Sequence, residues 1–353
     1  MKKIFFIVLC ILTALCAVSC GETDTAKNEN RACTVCGLLG AGDGLVFESG
    51  GNGECSVSGL GTCADAELTI PTFSPSGDKV TSIAPRAFYN CTSLVSVHIP
   101  DTVASIGDGA FTDCKNLKSI TVHDTVTSIG KEVFLGCSEL LDVTLPNTTA
   151  SVGEGMFSGC IKLETVSLPS SVTAIEKNAF SSCESLCGIT LPENLKSIGE
   201  NAFSACSSLR DVKIPDTVTE LGDGAFAECA SLESVKLSAS ITKIGGYAFK
   251  NCKALKKADI PSCVTEIGTE AFWDCISYER IVIPASVKII EKNAFRNCGE
   301  CDGTARFEKT DGWMCFDSSE VVIDPLDLSD KKQNAIFITF LYNDFTWKSS
   351  YFM

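Results

Sequence analysis

The sequence predicts an α/β solenoid, a right-handed coil of about ten 23-residue repeats with N- and C-terminal caps. Two series without an exception carry this reading. Phe recurs every 23 residues at Phe88, Phe111, Phe134, Phe157, Phe180, Phe203, Phe226, Phe249, Phe272 and Phe295. Three residues behind each comes Cys91, Cys114, Cys137, Cys160, Cys183, Cys206, Cys229, Cys252, Cys275 or Cys298. A fixed period of roughly 20–29 residues marks a stack of supersecondary units.

One unit shows why each piece is expected. Val97 and Ile99 alternate around an outward residue, and Pro100 stops the run, which makes a short strand. Val103 and Ile106 form a second extended piece, and Gly107 opens a turn; Glu176 and Glu291 stand in its place in two repeats. Ala110, Phe111, Cys114 and Leu117 then follow at the spacing of one face of a short helix. A single coil buries too few apolar side chains to offset the ordering of its backbone. Stability is therefore a property of the row.

The ends differ from the middle. Two lysines and an apolar run from Ile4 to Val18 read as an export signal over residues 1–19, too short for a permanent span. Ala17-Val18-Ser19-Cys20 resembles a lipobox, with Cys20 the expected lipidation site and membrane attachment through that lipid. Residues 20–32 then form a flexible tether, since Gly21 to Asn30 carries no large apolar residue. Residues 33–66 read as a Cys-rich N-terminal cap, in which Cys33, Cys36, Cys55 and Cys63 have spacing for disulfides or a four-thiolate zinc site. An oxidising compartment favours disulfides, so no metal is expected. The repeats occupy 67–301, starting with an expected strand at Ala66 to Pro71, and 302–353 forms a C-terminal cap region with Cys301 and Cys315 as a candidate pair.

The pattern L-x-x-V-x-I-P-x-x-V-x-x-I-G-x-x-A-F-x-x-C resembles the BspA-like, spirochaete-type class of bacterial leucine-rich repeat. The resemblance implies a leucine-rich repeat coil on a surface-attached or secreted bacterial protein, with adhesion as an expected role. Departures are local and expected to weaken single coils: His123 and Ser238 replace the strand-ending proline, Thr149 replaces Val and Tyr278 replaces Leu.

Net charge is −15, which argues against nucleic acid as a partner. Catalysis has little to use. The two histidines, His98 and His123, have no intervening carboxylate to make a nucleophile–base–orienter set. P-loop, zincin and nucleophile-elbow motifs are absent. No cofactor and no small-molecule substrate is expected. The ten repeat cysteines read as buried structural thiols, because translated coils point their Cβ vectors the same way.

The expected partner-binding strip is the outward face of the first strand: His98, Thr121, Thr144, Ser167, Thr190, Lys213, Lys236, Lys256, Lys257 and Arg280. Solenoid curvature makes such a face a concave recognition surface. The last five are expected to form one positive patch suited to an acidic partner. The overall expectation is a lipid-anchored protein of the bacterial cell envelope, at the outer membrane or cell surface, that binds a protein or glycan. The alternatives are an envelope scaffold and an enzyme whose activity lies in the C-terminal region.

Overall fold

The structure is a computed structural model, and it describes residues 44–299, 305–308, 313–316, 322–325 and 346–349. The expected lipidation site Cys20, the tether, and Cys33, Cys36 and Cys301 lie outside these residues.

The described chain is a parallel β-solenoid. Most coils contribute to two ladders. In the first, Glu67–Thr69, Ser96–His98, Ser119–Thr121 and Asp142–Thr144 pair in parallel, so the strand expected after Ala66 opens the ladder. The ladder touches the next coil only through a bridge from Thr144 to Ser167. It resumes with Asp211–Lys213, Ser234–Lys236 and Lys257–Ala258, and again with Ile281–Ile283 against Ala305–Phe307. The second ladder is built from two-residue strands such as Ser105–Ile106 and Ser128–Ile129. Parallel register over 23 residues places each residue beside its counterpart one repeat on, which is why the sequence columns become physical columns.

No described residue is helical, so the α component expected of the Ala-Phe-x-x-Cys segment is corrected to a pair of tight turns. Left-handed residues interrupt the segment on both sides of each Phe. Arg86 and Asn90 have φ of 56°, and Gly109 and Asp113 have 61° and 59°. An α-helix needs uninterrupted right-handed φ and bonds to i−4. Here alternate N–H groups leave the segment altogether: Phe88 N–H donates to Ala110 O at 2.8 Å and Asn90 N–H to Thr112 O at 2.8 Å, one coil on. Cys91 N–H closes the turn onto Phe88 O at 3.1 Å. The turns thus form a third hydrogen-bonded seam between coils.

The core is a stack of columns. All ten ladder Phe rings are fully buried, with successive centroids 5.1–5.9 Å apart and planes within 16° of parallel. Such offset stacks of parallel rings add to the burial of their area. Two of the departures are buried with hydrogen-bond partners of their own. Tyr278 is buried, tilts against Phe272 and donates its hydroxyl to Ala258 O at 2.5 Å. Ser238 is buried and donates to Val218 O at 2.6 Å. Thr149 does carry a cost, since its buried hydroxyl has no partner among the described residues.

Both ends are closed by antiparallel strands. At the start, Val46–Gly51 and Glu54–Gly59 form a hairpin whose second strand pairs with Lys79–Ile83. At the end, Thr346–Ser349 pairs antiparallel with Ile289–Ile290, and Trp313–Phe316 and Val322–Pro325 extend that sheet. Ala305–Phe307 continues the parallel first ladder beyond the last Phe–Cys repeat.

Candidate partner-binding face

First strands such as Ser96–His98, Ser119–Thr121 and Asp142–Thr144 are three residues long with a buried centre, so the residues on either side point outward. His98, Thr121, Thr144, Ser167, Thr190, Lys213 and Lys236 are all exposed. Pairing sets His98 beside Thr121, Thr121 beside Thr144, and Lys213 beside Lys236. His98 and His123 meet edge to face with ring centroids 5.9 Å apart. Lys257 and Arg280 stand in the neighbouring outward column, which runs through Asp211 and Ser234 to Lys257. Lys256 lies just outside it.

The five cations do not make one positive patch. Lys213 pairs with Glu193 at 3.0 Å, Lys256 with Glu233 at 2.7 Å and Lys257 with Asp259 at 3.0 Å. Lys236 and Arg280 have no carboxylate partner among the described residues, and Asp211 accepts from Ser234 in the column beside Lys213 and Lys236. Like charges brought one coil apart repel, and interleaved carboxylates lower that cost. The face is therefore zwitterionic in its C-terminal half and hydroxyl-rich in its N-terminal half, which removes the electrostatic reason to expect an acidic partner.

The cysteine ladder lies on the opposite side of this face, inside the coil. From Cys114 to Cys298 every ladder thiol is buried and sits 2.9–3.2 Å from the carbonyl oxygen of the Phe 26 residues earlier. Burial pushes the thiols from Cys114 to Cys275 upward, Cys114 and Cys206 to about 12. Cys91 departs from the series: it is half-buried, with its sulfur 3.9 Å from Tyr89 O. In the N-terminal cap, Cys55 is buried with its thiol 3.6 Å from Asp78 O, and the buried Cys63 thiol lies 3.6 Å from an Asp65 carboxylate oxygen. Cys315 lies in the strand Trp313–Phe316. Among the described residues no group of three or more His, Cys, Asp or Glu side chains is placed to hold a metal, and no helix is long and apolar enough to cross a membrane.

A repeated coil with first strand, second strand and Ala-Phe-x-x-Cys turns in these positions is matched by a family model, described as BspA type leucine rich repeat region (6 copies), over residues 64–187 and 173–301. The chain belongs to that family. This BspA-type protein is also similar to solved structures. One is a leucine rich cell surface protein from Faecalibacterium prausnitzii A2-165, at 28% identity, covering 82% of this chain and 96% of that one, with a TM-score of 0.38. Another is a leucine-rich repeat protein from Bacteroides ovatus ATCC 8483, at 26% identity, covering 75% and 87%, with a TM-score of 0.48. No curated protein matches the BspA-type chain.

Reading the sequence by columns missed one feature of the face. The first ladder is interrupted between Thr165 and Leu191, where neither coil is assigned a strand. The available signal was Gly188, the one residue without a side chain in an outward column otherwise filled by Ser96, Ser119, Asp142, Thr165, Asp211, Ser234, Lys257 and Arg280.

Proposed function

We propose that this BspA-type repeat protein is a bacterial surface protein, anchored by lipid on Cys20, that binds a protein or glycan partner through the outward face of its first-strand ladder. It works by binding, not by catalysis. The observation that carries the reading is the contrast between faces. The inward columns repeat Phe, Cys, Leu and Val with little change, whereas the outward column changes from His98 through Thr121 and Thr144 to Lys213 and Lys236 while remaining exposed. A fold needs only exposure there, so variety is free to serve recognition. Solenoids commonly use such a surface in this way. The export-type N-terminus ending at Cys20 supports the surface location.

Site-specific photo-crosslinking tests it. A crosslinking residue is placed at Thr144 or Lys236 on the strand face, and at the exposed Lys253 on the turn side, in protein displayed by its native cell. The expected result is one partner captured from Thr144 and Lys236 and none from Lys253. Equal capture from all three, or capture from Lys253 alone, would move the site off the strand face.

A further inference from the structure

We propose that the break in the first-strand ladder beside Gly188 is a binding notch for a neutral oligosaccharide. The proposal rests on the strand-face reading above and names its ligand class at one place.

Five observations converge there. The ladder is lost for two coils, between the single bridge at Ser167 and the strand Asp211–Lys213. The inward columns loosen at the same point: Leu168 and Ile189 are partly exposed, while their counterparts Val122, Leu145, Val143 and Val212 are 2–5% exposed. The opening is about 450 Å³ and is lined by the hydroxyl residues Thr165, Ser167, Ser170 and Thr190 together with the apolar Leu168 and Pro192. None of those four hydroxyls donates to or accepts from another described side chain or carbonyl, unlike Ser171, which donates to Thr149 O at 2.6 Å, and Thr148, which donates to Val126 O at 2.9 Å. Gly188, two residues before Thr190, faces open space, where an added Cβ would meet no atom within 4 Å.

The chemistry selects the ligand. A sugar ring offers an apolar C–H face and a set of hydroxyls, and this notch offers apolar lining residues beside unengaged hydroxyls. The size lies at the lower end of small-ligand sites, which run to roughly 300–1,000 Å³. No ionisable side chain lines the opening, so a sulfated, phosphorylated or carboxylate-bearing ligand would lose its hydration without a counter-charge. The nearest ion pair, Lys213 with Glu193, is already matched. An extended peptide would need a continuous strand edge to pair with, and the ladder is interrupted where the notch lies.

The test is titration of the full chain with maltotriose, cellotriose and N-acetyllactosamine. A sulfated heparin disaccharide and a neutral Ser/Thr-rich peptide serve as the other arms. Saturable binding of at least one neutral sugar is expected. It should weaken about tenfold or more in the Ser167→Ala, Thr190→Val double variant, as loss of two ligand hydrogen bonds requires. The substitution Gly188→Tyr, which fills the open space, should abolish it, while Lys253→Glu on the turn side leaves it unchanged. Circular dichroism of each variant checks the fold. No saturable binding of any neutral sugar, equal binding by the double variant, or binding only of the sulfated sugar or the peptide would overturn the proposal. Continued photo-crosslinking of a partner from Thr144 without sugar binding would overturn the notch and leave the strand-face reading intact; loss of both would overturn both.

Discussion

The sulfur of Cys183 lies 3.1 Å from the carbonyl oxygen of Phe157, which also accepts the N–H of Cys160 at 3.0 Å. Each ladder cysteine after the first thus ties its turn to the turn one coil before. A thiol is small enough for this junction, hydrophobic enough to be buried, and still a weak donor. Serine in this place has a carbonyl to meet, so Cys183→Ser should cost less than about 1–3 kcal/mol, the penalty for an unpartnered buried hydroxyl. Cys183→Val, bulkier and without a donor, should cost more, by the roughly 1–3 kcal/mol of overpacking. Cys91→Ser should be near neutral, because Cys91 is half-buried and its sulfur is 3.9 Å from the nearest carbonyl acceptor. Denaturant unfolding of the three variants checks the order.

The thiols also predict pH dependence. Burial raises Cys114 and Cys206 from 9.0 to about 12. In the unfolded chain these groups lose protons as pH passes 9.0, while in the folded chain they keep them. Their contribution is complete below about pH 9 and is lost as pH rises toward 12, so stability should fall across that window. Cys114→Ala with Cys206→Ala should flatten the fall. A pH-independent midpoint between those limits would contradict the assignment.

Reactivity should follow the same map. In native protein at neutral pH, among the described cysteines an alkylating agent should modify the exposed Cys187 first, and the half-buried Cys91 and Cys263 more slowly. Cys137, Cys160 and Cys229, all buried, should react only after denaturation. Peptide mapping of native and denatured samples reads the order directly.

Two glycines should behave oppositely. A Cβ on Gly222 would lie 2.5 Å from the backbone N of Glu200 and 2.5 Å from the carbonyl carbon of Gly199, so the corner there admits no side chain. Gly222→Ala should destabilise by about 1–3 kcal/mol. Gly188 has open space, and Gly188→Ala should be neutral or stabilise by up to about 1 kcal/mol by restricting the unfolded chain. Thermal unfolding distinguishes them.

Tyr278 should prove a local asset. Tyr278→Phe removes the bond to Ala258 O and should cost roughly 0.5–1.5 kcal/mol. Tyr278→Leu restores the residue of the regular column but leaves a void, and should cost more, about 2–4 kcal/mol. Equal stability of all three proteins would show that the hydroxyl is not engaged.

Periodicity by itself determined the coil, its inward columns and the outward positions of His98, Thr121, Thr144, Lys213 and Lys236, because parallel stacking turns a 23-residue spacing into adjacency. Tertiary structure decided what spacing cannot encode. The one-three-three spacing around Phe111 suits either a helix face or two tight turns, and only the bonds to the next coil, with left-handed φ at Gly109 and Asp113, select turns. The sign of the charged half was likewise undecided by the columns, since Glu193, Glu233 and Asp259 reach Lys213, Lys256 and Lys257 through side-chain conformations. Loss of the ladder around Gly188 belongs to two particular coils and not to the repeat. A column pattern treats every coil as equivalent, and Leu168 and Ile189 become exposed only where that equivalence fails.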